Sequence, residues 1–209
     1  MKAIYNLAGL VAVSLSVSVA AKPYIAAGIS YNTLEIEDNS YDFAEFDDGV
    51  TLDLSNDDTS SDVWLEVGYD FTPQWGIALR YTEFESGDED EVAISALNDE
   101  EWDASLDVTE FTLEAVYHYP IGDDFTLSMS GGLALHHIDV SQSHELDVED
   151  GEDVVYSSFS DSETKVGASL GLSLSYKIYD NLSLLAQTRY SYTSVISNAS
   201  VGVGVAYAF

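Results

Sequence analysis

Residues 198–209 read Asn198-Ala199-Ser200-Val201-Gly202-Val203-Gly204-Val205-Ala206-Tyr207-Ala208-Phe209, and the alternation in this stretch decides the fold. Side chains of an extended chain point to opposite faces in turn. Ala199, Val201, Val203, Val205, Tyr207 and Phe209 therefore share one side, and Ser200, Gly202, Gly204, Ala206 and Ala208 share the other. A soluble sheet sets charged or long polar groups opposite its apolar face. Here that side is nearly bare, as a narrow, crowded interior requires, so the apolar side is expected to look outward into hydrocarbon.

The same period recurs upstream. Residues 23–33 set Ile25, Ala27, Ile29 and Tyr31 against Ala26, Gly28, Ser30 and Asn32; residues 62–71 set Val63, Leu65, Val67, Tyr69 and Phe71 against Trp64, Glu66, Gly68 and Asp70. After a turn at Thr72-Pro73-Gln74, Trp75, Ile77, Leu79 and Tyr81 oppose Gly76, Ala78, Arg80 and Thr82. Further along, Phe111, Leu113, Ala115, Tyr117 and Tyr119 oppose Glu110, Thr112, Glu114 and His118, and residues 120–124 close that hairpin. Phe125 to Leu135 then alternate with Thr126, Ser128, Ser130, Gly132 and Ala134. Val166 to Tyr176 alternate with Lys165, Gly167, Ser169, Gly171 and Ser173, and beyond Tyr179-Asp180-Asn181 the residues Leu182 to Tyr192 alternate with Ser183, Leu185, Gln187, Arg189 and Ser191. With the last stretch this makes eight strands. Segments of about ten residues suit a tilted strand crossing a bilayer, and an even number closes into a barrel with no backbone edge in lipid. The fold expected is all-β: an eight-stranded antiparallel up-and-down transmembrane β-barrel.

Connections alternate short and long. Aromatic residues (Phe71, Trp75, Tyr119, Phe125, Tyr176, Tyr207, Phe209) gather beside the short turns, which places those turns at the periplasmic interface and the long connections outside. In the first long connection Val50, Leu52 and Leu54 alternate, but out of parity with Val63 and Leu65, so strand there implies a bulge or a separate hairpin. Met1-Lys2, an apolar run to Val19 and small residues at Ala20 and Ala21 read as a secretory signal over residues 1–21, with 22–209 as the barrel domain. Cleavage leaves Ala21 or Lys22 first; a membrane-anchoring helix is the alternative.

Composition narrows the rest. The 209 residues have no cysteine, so neither disulfides nor thiolate metal sites exist. With 38 acidic and 6 basic residues the formal charge is -32, which excludes a general nucleic-acid binder. Aromatics at 12% and strict alternation exclude a disordered acidic chain.

Charge placement points inward. Beyond the signal the basic residues are Lys22, Arg80, Lys165, Lys177 and Arg189, and the last four all fall on the row that avoids lipid. If Phe71 pairs with Trp75, Glu66 stands opposite Arg80, with Glu114 and Arg189 at similar heights on other strands. A lumen this narrow is filled by side chains. The expectation is a network of Glu66, Arg80, Glu114 and Arg189, with Gln187 beside it, that closes the lumen; pairing at an exposed barrel mouth, or a gate in a small pore, are the alternatives.

Most of the acids lie in residues 35–62, 83–107 and 139–163, none of which contains Lys or Arg. They make the external face a polyanion, suited to solubility, to saline surroundings or to weak binding of divalent cations that bridge to lipopolysaccharide phosphates. No calcium-loop, zinc or phosphate-loop motif is present, so neither a metal site nor a cofactor is expected. His136, His137 and His144 stand near Ser141, Ser143 and Glu145, but adjacent His residues on a strand diverge, and no His-x-Ser pair shares a face there. Catalysis is not expected.

The whole mature segment resembles the small eight-stranded outer-membrane barrels, the family of the OmpA transmembrane domain, OmpX and OmpW. The carrying features are the alternating strands and the final Val205, Tyr207 and Phe209, which match that family's assembly signal. The resemblance implies export to the cell outer membrane, insertion by the barrel-assembly machinery, contact with outer-membrane lipid and lipopolysaccharide, a monomeric state, and a structural or surface-interaction role. Glu66 and Arg80 are positions that match the internal charge network of the OmpA-type barrel. A narrow porin-like channel for small solutes and a lipid A modifying enzyme are the alternative functions; a lipocalin-like soluble barrel is the alternative fold, with the glycine and serine rows as an unsuitable solvent face.

Overall fold

Period-two sequence becomes eight strands, each hydrogen-bonded to its neighbours in chain order and closed by pairing of the first with the last. The computed structural model describes residues 22–36, 59–93, 98–148 and 154–209. The strands are β1 (Lys22–Ile36), β2 (Thr59–Asp70), β3 (Trp75–Ala93), β4 (Asn98–Ile121), β5 (Phe125–Val148), β6 (Val154–Tyr179), β7 (Leu182–Tyr192) and β8 (Ile196–Ala208), all antiparallel. The signal segment, the Val50, Leu52 and Leu54 alternation and the bulge inferred from it lie outside the described residues.

Short turns are built by the residues that flank them. Thr72 Oγ1 accepts the backbone N–H groups of Gln74 and Trp75 at 3.3 and 2.9 Å, and Phe71 N–H donates to Trp75 O at 3.1 Å, which fixes the β2–β3 register. The β4–β5 turn carries Gly122 at φ 75°, a left-handed conformation that costs glycine nothing. Phe209 N–H donates to Pro23 O at 3.0 Å, so the last residue is tied to the first strand.

The outer wall is apolar. Ile29, Leu65, Leu113, Leu133, Leu170 and Val203 are each more than half exposed, a display that water does not tolerate over a whole surface and hydrocarbon does. Aromatic pairs ring the short-turn end: Trp75 with Tyr117 at 4.9 Å and Phe125 with Tyr176 at 5.0 Å between centroids. A second ring, including Tyr81 against Phe111 at 5.1 Å and the outward Tyr31 and Tyr190, marks the other interface.

The strands are longer than a membrane crossing. Where the acidic sequence suggests loops, β3 continues to 19 residues, β4 and β5 to 24 and β6 to 26, correcting the expectation of extended irregular connections over residues 83–107 and 139–163. The reason is a change of polarity within an unbroken period. In β4 the inward row runs His118, Val116, Glu114, Thr112 and Glu110 in the membrane, then Val108, Leu106, Ala104 and Trp102 above it, while the outward row turns from Phe111 to Thr109, Asp107 and Asp103. Below the change the wall is lipid-facing; above it the sheet is of the water-soluble kind. Phe84, Leu106, Val108, Ile138 and Val140 form a buried apolar layer there, closed by Val195 of the tight β7–β8 connection and Ile196 at the start of β8. That connection is held by Thr193, whose N–H donates to Ile196 O at 2.8 Å.

Candidate functional site: the barrel lumen

Every second residue of every strand enters the lumen, so the interior is a stack of layers fixed by register. Glu66 lies opposite Arg80 in the β2–β3 ladder, Ala78 opposite Glu114 in β3–β4, and Arg189 opposite Gly171 and Ser200. The five residues expected in the network meet at one height. Arg80 Nη1 donates to Gln187 Oε1 at 3.0 Å and stands 3.6 Å from Glu66 Oε2. Arg189 Nη2 donates to Glu114 Oε1, and lies 3.4 Å from the Thr112 hydroxyl. Arg80 is 3% exposed, so the mouth-of-barrel alternative does not describe it.

Two aromatic residues complete this layer. Trp64 is fully buried with the Arg80 guanidinium 4.1 Å from its ring centroid, and the Tyr24 hydroxyl donates to Glu66 Oε1 at 3.0 Å. The indole fits because the next two strands of the wall, β1 and β8, carry glycine there: a Cβ at Gly28 or Gly204 would stand 2.6 or 2.4 Å from Trp64 Cζ2. Parity alone assigns both aromatics to the inner row. Their partners depend on the register of several strands.

A second polar layer lies above. Glu110 Oε2 accepts from His136 Nε2 at 2.7 Å and from the Ser191 hydroxyl, and His136 is fully buried. Asn32 Nδ2 donates to Asp62 Oδ2 at 2.7 Å. Over this sits the apolar layer, with Phe84 edge-on to the His136 ring at 6.5 Å. Between the two polar layers the free space is only about 10 Å³, whereas towards the short turns the lumen widens into a cavity of about 280 Å³. Among the described residues the lumen is thus widest in this vestibule towards the short turns and narrows above the ionic layer.

The external His and Ser set is dispersed. His136 is inward on Glu110, His137 is outward with Nδ1 3.0 Å from Thr164 Oγ1, His144 stacks on Trp102 at 4.7 Å, and Ser141 Oγ meets Ser105 Oγ at 2.7 Å on the outer face. Among the described residues no group of three His, Asp or Glu side chains is placed to hold a metal ion. At the C-terminus Val205, Tyr207 and Phe209 all point outward, with the last two rings edge-to-face at 5.2 Å.

Solved structures share the architecture at low identity. Ail, the attachment invasion locus protein of Yersinia pestis, crystallised with the heparin analogue sucrose octasulfate, aligns at TM-score 0.53 and 15% identity over 91% of this chain and 100% of its own. OprG of Pseudomonas aeruginosa aligns at 0.56 and 13%, over 91% and 96%, and a major outer membrane protein of Thermus thermophilus at 0.57 and 13%, over 91% and 100%. No curated protein matches the chain in sequence. The closed eight-strand ring and the lipid-facing wall are those of a small barrel of the cell outer membrane, and the outer membrane protein beta-barrel domain model matches residues 6–209: the chain belongs to that family.

Proposed function

We propose that this protein is a monomeric structural and surface-interaction barrel whose lumen is closed, presenting an acidic sheet outside the cell. The observation that carries this reading is closure twice over: the Glu66, Arg80, Glu114, Arg189 and Gln187 layer, and above it the apolar layer of Leu106, Ile138 and Ile196. Ions passing through would have to part buried pairs and then cross a dry layer. The vestibule favours the second reading, a narrow channel. Reconstitution in planar bilayers tests the two: no stepwise conductance is expected, and stable ohmic steps would establish the channel instead.

The surface partner follows from charge. Ail was crystallised with a polyanionic ligand. Here the exposed outer row above the membrane carries Glu83, Glu85, Asp107 and Asp139, so a ligand of that class would be repelled and a cationic one, including divalent cations bridging to lipopolysaccharide, attracted. Residues 1–21 serve export in this reading. Val205, Tyr207 and Phe209 serve recognition by the barrel-assembly machinery.

A further inference from the structure

The vestibule holds three side chains that the ionic layer does not use. His118 on β4 faces Ser128 on β5 directly across the ladder, with Nδ1 2.8 Å from the Ser128 Oγ. Its other ring nitrogen, Nε2, lies 2.9 Å from Asp70 Oδ1. Asp70 comes from β2, so its carboxylate must cross β3 to reach the imidazole. It crosses at Gly76, where a Cβ would stand 2.4 Å from Asp70 Oδ1. The bare glycine is what lets the carboxylate reach.

The hydrogen-bond order sets the proton positions. A carboxylate only accepts, so Asp70 holds the imidazole proton on Nε2 and leaves the Nδ1 lone pair to accept from the Ser128 hydroxyl. Nucleophile, base and orienting acid then stand in sequence, each within hydrogen-bond reach of the next. All three line the 280 Å³ cavity that opens at the short turns. The Glu110, His136 and Ser191 set lacks this order: its carboxylate sits in the middle, so no base faces the hydroxyl, and it is sealed beneath the apolar layer.

We propose that Ser128, His118 and Asp70 form an acyl-transfer site, open to the periplasm, that hydrolyses small carboxylic esters. The cavity is at the lower end of the ~300–1,000 Å³ of ligand pockets, which limits the substrate to a short acyl chain. Ser128 Oγ bonds to the ester carbonyl carbon as its proton passes to His118 Nδ1. The carbon–oxygen bond to the alcohol then breaks, and the alkoxide leaves with that proton. Water attacks the acyl-serine in turn, giving a proton to His118; the bond from the acyl carbon to Ser128 Oγ then breaks, His118 returns that proton to Oγ, and the carboxylic acid leaves. Since β5 is paired on both sides, its backbone N–H groups are committed to the ladder, and the hydroxyls of Thr126 and Ser173 on the same wall are the donors available to the oxyanion.

The site is independent of whether the lumen conducts, and labelling of the refolded full chain tests it. A fluorophosphonate probe reacts with an activated serine by displacement of fluoride. The expected result is one adduct, on the peptide containing Ser128, absent in Ser128→Ala and formed about a hundredfold more slowly in His118→Gln, with p-nitrophenyl acetate turnover falling in step. Gly76→Val, which displaces the Asp70 carboxylate without touching the reacting groups, is expected to slow labelling while heat-modifiable gel mobility stays that of the folded barrel. An unlabelled Ser128 in folded wild-type protein, or labelling as fast in His118→Gln as in wild type, would reduce the arrangement to a hydrogen-bond chain and overturn the proposal. Should His118→Gln not fold, the wild-type adduct and Gly76→Val decide.

Discussion

Glu114 and Arg189 show what the lumen demands of a single residue. Their side chains are 1% and 11% exposed, and each has the other as its counter-charge. Two charges withdrawn from water gain little over a well-packed apolar pair, but one left behind is costly. Arg189→Met is therefore expected to lower stability by about 3–5 kcal/mol, read from the urea midpoint of the refolded protein in vesicles. Replacing both partners, as Glu114→Gln with Arg189→Met, is expected to recover most of that loss. The inward position of these residues was legible in the sequence, because a cation in the lipid row at mid-depth is costly and the period of two leaves only one other row. Trp64 was legible as an inner residue in the same way. Its seat over Gly28 and Gly204 was not, since Gly204 belongs to β8, which only closure of the ring sets beside β1, the strand between it and β2. Asp70 and His118 were hidden for a related reason: they are separated by a strand, and only the absence of a side chain at Gly76 joins them.

At the scale of the element, the upper parts of β3, β4 and β5 are a second kind of sheet grown on the first. Acidic residues at every other position look like loop when read by composition, because the eye meets the outward row. Read by parity, Trp102, Ala104, Leu106 and Val108 continue the row that holds Glu110 and Glu114, and Ile138 and Val140 continue that of His136. What sequence could not supply was the cover: Val195 and Ile196 arrive from the β7–β8 connection and the start of β8, distant in the chain. Ile138 is fully buried in this layer, so Ile138→Ala is expected to cost about 2–5 kcal/mol locally. The measurement is limited proteolysis with proteinase K in vesicles. Faster cutting of β4 and β5 above the membrane, with the membrane-embedded fragment still protected, is the expected pattern, because the layers below keep their own contacts.

For the whole molecule, outward chemistry along one strand distinguishes two solvents. Leu170, 64% exposed and near the middle of the apolar band on β6, and Ser162, exposed on the same row beyond it, make the comparison. Leu170→Arg is expected to destabilise the barrel by about 2–4 kcal/mol, and Ser162→Arg, opposite the exposed Asp139 across the β5–β6 ladder, to leave the unfolding midpoint in vesicles unchanged or slightly raised. The switch from one solvent to the other takes a single step of the zigzag: Tyr81 to Glu83, Phe111 to Thr109, Leu135 to His137, Val166 to Thr164. A protein with so abrupt a waterline has its draught set by its own side chains. Sinking by one residue pair would drag Glu83 into oil, and rising by one would strand leucine and tyrosine in the headgroups, so in a bilayer of unmatched thickness it is the lipid around the hull that has to thin or swell.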